Sequence, residues 1–134
     1  MTGISGAAAA RAADAILRTL GGTEVTLLFA AAGLPGDGVS ELGLVDPGVE
    51  QALISPVFVR ELTTENDGPR RRIELVAGRS AMAEQVSQRN VASAEVLFET
   101  ALGLVYGGEM FHIQGFVVER LGGVAYLYRV LAVS

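Results

Sequence analysis

The stretch Val105-Tyr-Gly-Gly-Glu-Met-Phe-His-Ile-Gln-Gly-Phe-Val-Val-Glu-Arg-Leu-Gly-Gly-Val-Ala-Tyr-Leu-Tyr-Arg-Val-Leu-Ala-Val133 decides how this chain folds. It is dense in β-branched and aromatic residues, which suit a pleated, half-buried surface. Gly107-Gly108 and Gly122-Gly123 are two-residue links between apolar runs, the signature of tight hairpins. The spacing therefore predicts strands over Leu104–Tyr106, Met110–Arg120 and Val124–Val133, so that 104–134 forms paired C-terminal β-hairpins. Gly115 lies where the apolar phase slips, which predicts a bulge or bend. Period-two alternation sets Met110, His112 and Gln114 on one face, and Tyr126 with Tyr128 on one face of the last strand.

Working outward, Ser5 to Leu20 reads as a helix with Ser5 as its N-cap. Its apolar stripe is Ala9, Ala13, Ile16, Leu17 and Leu20, and Gly21-Gly22 ends it, so 1–22 is an N-terminal helical segment. Thr23 to Ala31 alternates as a first strand. Residues 33–56 follow as a long loop punctuated by Leu-Pro-Gly, Asp-Gly, Asp-Pro-Gly and Ser-Pro, with Asp46-Pro47 placed to cap a short helix through about Leu53. Connections this long inside a compact domain are usually functional or disordered, and this one is too apolar for simple disorder. Leu42, Leu44, Val45 and Leu53 give this one an apolar character suited to docking on a partner or facing a channel. Val57–Leu62 and Arg70–Ala77 read as strands around a polar hairpin tip at Thr63–Pro69. Ser80–Gln88, with Ser80 as its N-cap, and Ala92–Leu102 read as two short central helices. About six strands without a βαβ rhythm predict a mainly β, α+β domain. Its core is a small antiparallel β-barrel carrying an N-terminal helix and two central helices.

Length and composition bound what such a domain can do. With 134 residues the chain makes one domain, 1–134. That size buries roughly two-thirds of the unfolded surface without metals or disulfides. Half the residues are hydrophobic, yet the longest stretch free of charge, Val25 to Gly36, falls short of the ~20 residues that span a bilayer. Arg11 and Asp14 interrupt any apolar leader at the N-terminus. The apolar excess is therefore expected in a core or in contacts with other chains. The absence of cysteine removes thiolate chemistry and cysteine-based zinc sites. Net charge is −5, which disfavours broad binding to nucleic-acid phosphates.

No residue pattern declares a catalytic centre. His112 is the sole imidazole, and no carboxylate lies at a spacing that would orient it. Ser40 and Ser80 lack the glycine frame of a nucleophile elbow. The glycine-rich Gly33–Gly38 turn cluster lacks the lysine of a phosphate-binding loop. Catalytic, cofactor and metal residues are accordingly expected to be none. Arg70-Arg71-Arg72 is the sole basic run. It reads either as a solvated strand entry neutralised by Glu61, Glu65, Asp67 and Glu74, or as a clamp for a partner's carboxylates. The expected interface residues are thus Leu42, Leu44, Val45, Leu53, Arg70, Arg71 and Arg72.

The order of elements resembles a known family. An alanine-rich helix precedes Val25-Thr-Leu-Leu-Phe29, and a Pro-Gly loop with Gly36-Asp-Gly38 and Glu41-Leu-Gly-Leu44 leads into Leu53-Ile-Ser-Pro-Val-Phe58. Ala94-Glu-Val-Leu-Phe98 is then followed by Val105-Tyr-Gly-Gly-Glu-Met-Phe-His-Ile113 and Tyr126-Leu-Tyr-Arg-Val130. This outline is similar to the small head-completion proteins, the stopper or head–tail connector proteins, of long-tailed bacteriophages. The resemblance implies a non-enzymatic β-barrel subunit of a homo-oligomeric ring in the virion neck, six-fold as a stopper or twelve-fold as an adaptor. It implies assembly in the bacterial cytoplasm, with portal, adaptor and tail proteins as partners and no membrane. Packaged DNA would pass through the ring without specific binding, and the 33–56 loop, with Thr63–Pro69 second, would face the channel. Adaptor and tail-terminator roles in the same neck are alternatives. A different class of reading is a small-molecule-binding α+β barrel with Phe111, Phe116, Tyr126 and His112 around a pocket.

Overall fold

The computed structural model describes residues 5–20, 22–30, 49–62 and 70–134. Its elements run α1 (Gly6–Thr19), β1 (Thr23–Ala30), β2 (Val49–Leu62), β3 (Arg72–Gly78), α2 (Arg79–Arg89), α3 (Ala94–Thr100), β4 (Gly103–Tyr106), β5 (Glu109–Leu121) and β6 (Val124–Val133). The six described strands close into an antiparallel barrel in the order β1-β2-β3-β6-β5-β4, with β4 returning to β1. The small barrel with attached helices expected from the sequence is therefore the fold.

Alternation fills the barrel. Leu27, Ile54, Ile73, Leu75, Leu104, Phe111 and Val130 lose all solvent contact inside it. Burying each such side chain contributes about 1.5–3 kcal/mol, against roughly 0–1 kcal/mol for an exposed ion pair. The core, and not the surface charge pairs, therefore holds the fold. Met82 of α2 and Leu97 and Phe98 of α3 join the same core, so the two helices between β3 and β4 are part of the domain's interior packing.

Both Gly-Gly links are hairpin turns with positive φ at each glycine, +58° and +78° at Gly107-Gly108 and +60° and +79° at Gly122-Gly123. Two consecutive left-handed residues match the twist of the flanking strands, which is why glycine stands there. The expected bulge at Gly115 is present, where the β5–β6 register slips between Ile113 and Gly115. This slip returns Phe116 and Val118 to the core side.

Other elements correct the sequence reading. The loop expected over 33–56 ends earlier, because Val49–Pro56 is the first half of β2 and pairs with β1 from Ala30↔Val49 to Val25↔Ile54. No helix runs to Leu53. Within this strand Ala52 and Ile54 point inward, whereas Gln51, Leu53 and Ser55 point outward. A register slip opposite Thr23–Val25 accommodates Pro56, which has no N–H to give a ladder, and the Ser55–Pro56 bond is cis. Residues 33–48 and the Thr63–Pro69 tip lie outside the described residues.

In the first helix Ser5 caps as expected, its Oγ accepting from the Ala8 N–H at 3.1 Å. The buried line, however, is Gly6, Ala10 and Leu17, and Ile16 and Leu20 stay 59% and 57% exposed. The helix docks by its smallest residues. A Cβ on Gly6 would lie 2.3 Å from the Leu121 carbonyl oxygen. At the start of α2 the cap is Gly78 and not Ser80, because β3 runs directly into the helix and Gly78 sits under Asp14 and Leu17 of α1.

Candidate functional site

Among the described residues two clefts stand out on this frame, and a second register slip shapes both. Between Glu119 and Arg120 the β5–β6 ladder gains an extra residue on β6, so pairing steps from Glu119↔Leu127 to Arg120↔Ala125. Tyr128 consequently points to the core side, while Tyr126 and Leu127 both face outward against α1. The shared face expected for Tyr126 and Tyr128 is thereby corrected, since strand alternation cannot survive an inserted residue.

The outer cleft is a groove of about 360 Å³ between α1 and the barrel wall. Ala13, Ile16, Leu17 and Leu20 form one side; Phe58 of β2, Val76 of β3 and Tyr126 with Leu127 of β6 form the other. No charged residue lines it. Beyond the groove, Leu53, Leu102, Met110, Val117, Leu121 and Leu131 stand 40–55% exposed on the outer surface.

The second cleft, about 380 Å³, lies between α2, the start of α3 and the β5–β6 hairpin. Arg79, Ala83, Val86 and Ser87 come from α2, Ser93 and Glu95 from the α3 entry, and Arg120, Gly123, Ala125 and Tyr128 from the hairpin. Arg120 pairs with Glu95. Tyr128 is only 8% exposed, with its ring tilted against Phe98 at 6.0 Å and Phe98 in turn 5.3 Å from Phe116. Burial pushes the Tyr128 phenol above its ordinary value; Arg120 opposes this, Glu95 adds to it and Arg79 opposes it. A folded-state pKa above that of the unfolded chain means stability that is fully present below the ordinary tyrosine value and lost as pH rises through the raised one. Phenolate absorbance, taken as wild type minus Tyr128→Phe, is expected to titrate above the pKa of free tyrosine. A difference curve at the free-tyrosine value would contradict the burial of this ring.

The residues singled out in the sequence are dispersed. Leu42, Leu44 and Val45 lie outside the described residues. Leu53 is half-exposed in the first half of β2, its carbonyl accepting from Gln85 Nε2 at 2.8 Å. Arg72 pairs with Leu62 at the other end of that strand. Arg70 is exposed, and the Arg71 guanidinium is held by Glu61 and Glu109 while lying 5.6 Å from the Phe111 ring centre. Glu74 pairs with Arg60 at 3.2 Å. The pocket imagined around His112 is not assembled: Phe111 is inside the barrel, His112 is exposed on the outer face, and Tyr126 belongs to the α1 groove. His112 lines neither cleft.

Among the described residues, no three His, Asp or Glu groups converge to hold a metal, and no helix is long and apolar enough to cross a membrane. Fold and surface together define a filled, closed β-barrel that presents an apolar groove and a charged cleft of similar size. No family model matches the chain, and neither the curated proteins nor the solved structures contain a match to it.

Proposed function

We propose that this chain is a non-enzymatic structural subunit of the neck of a long-tailed bacteriophage or phage-like particle. In this reading it is a head–tail connector, or stopper, that forms a ring joining the DNA-filled head to the tail. The observation that carries the reading is the α1 groove, an uncharged cleft left open on a barrel whose core is already complete without it. Apolar surface of this kind marks a place for another protein, and permanent assemblies use it most. The scattered exposed leucines and valines of the outer wall add to that surface. The net charge of −5 suits a ring through which DNA slides without adhering.

Mass spectrometry of density-purified particles tests the proposal. The chain is expected at a ring's copy number per particle, about six for a stopper or twelve for an adaptor. Deletion of its gene is expected to leave filled heads and free tails that do not join. Absence of the chain from intact particles, or normal tailed particles from the deletion strain, would sink the proposal.

A further inference from the structure

The charged cleft has no part in that assembly surface, and beside its Arg120–Glu95 pair it holds polar groups without a partner among the described residues. Tyr128 is more than nine-tenths buried, yet its hydroxyl makes no hydrogen bond to a described residue and opens into the cleft. Arg79, exposed on the α2 side of the cleft, has no carboxylate partner among the described residues. Ser93 caps nothing with its side chain. A guanidinium, a phenol and a serine hydroxyl offer donors to one anionic group. Ala83, Val86 and Ala125 offer an apolar floor beside them. The volume, about 380 Å³, lies in the range of small-molecule sites.

Glu95 decides which anion fits. It already occupies Arg120, so the cleft carries two positive charges and one negative, and a dianion would be repelled by the resident carboxylate. A planar monoanion matches the single free guanidinium and its forked donors. We propose that this cleft binds a monocarboxylate with a short branched apolar body, its carboxylate held by Arg79 and the Tyr128 hydroxyl and its body resting on Ala83 and Val86. Such a group comes either as a free small acid or as the C-terminus of a peptide.

Titration of the isotope-labelled full chain with N-acetylleucine, followed through its backbone amide resonances, tests the site. Saturable shifts are expected at Val86–Ser87, Ser93–Glu95 and Gly123–Ala125. N-acetylleucinamide, the same molecule without the charge, is expected to produce none. Arg79→Gln is expected to weaken binding about tenfold or more, because it removes a charge-assisted hydrogen bond to the carboxylate. Tyr128→Phe removes the hydroxyl but keeps the ring and is expected to weaken binding severalfold. No saturable shift, equal binding of the amide, unchanged affinity in Arg79→Gln, or tighter binding of methyl phosphate would each overturn the proposal. A short peptide ending in leucine then names the source: tighter binding than N-acetylleucine assigns a chain terminus, weaker binding a free acid.

Discussion

Replacing Phe111 by alanine is expected to remove about 3–5 kcal/mol of folding stability, whereas alanine at His112 should change it by no more than about 0.5 kcal/mol. The two residues are adjacent in β5, but one has no exposed surface and the other faces solvent. Phe111 pairs across to Leu104 and packs in the common core with Leu27, Leu75 and Val130. Its loss leaves a cavity that a closed barrel can collapse around only in part, since every neighbour is held by hydrogen bonds on both sides. A small domain has about 5–15 kcal/mol in total, so this variant should sit close to the unfolding threshold. Urea denaturation of both variants measures the contrast. Equal losses would mean that the strand does not present Phe111 inward.

Gly6→Ala is expected to destabilise by about 1–3 kcal/mol, against the direction that helix propensity alone would give. Alanine favours a helix over glycine by up to about 1 kcal/mol. Here, however, the new Cβ would lie 2.3 Å from the Leu121 carbonyl oxygen and 2.4 Å from the Val124 Cβ. Backbone and strand side chain leave nowhere to go, so the first turn of α1 must lift from the β5–β6 hairpin. The groove is built on the same helix, so binding of a hydrophobic dye should change along with the melting temperature. A rise in melting temperature would show that α1 does not approach the barrel this closely.

These contacts also show what could be read from the chain and what could not. The hairpins were legible because Gly-Gly between apolar runs has few other uses, and the first helix because Ser5 stands at its start. The front half of β2 was hidden by Pro47 and Pro56. Two prolines in nearby sequence read as loop, and only the register slip against β1 lets Pro56 sit inside a strand. The assignment of Tyr126 and Tyr128 to one face failed for a related reason. Alternation is a reliable guide only between bulges, and glycine flagged the slip at Gly115 but nothing flags the one at Tyr126. The α1 groove is half-legible, since Ile16 and Leu20 read as part of the helix's apolar stripe, while their exposure depends on how the helix is turned against the barrel. The charged cleft was invisible. Arg79, Glu95, Arg120 and Tyr128 are far apart in sequence, and only the placement of α2 and α3 between β3 and β4 brings them to one opening.

That β4 returns to β1 has a consequence for the protein among many copies of itself. A sheet that ends in an outer strand exposes a row of unpaired amides and carbonyls on which another chain can be templated. In this ladder each described strand has a neighbour on both sides over part of its length, so the barrel has no free outer strand. Copies brought together at high local concentration are therefore expected to meet chiefly through side chains, because no whole strand stands open to extend a neighbour's sheet. A chain that is half hydrophobic can therefore be crowded into an assembly with its mode of association limited to surfaces that have definite shape.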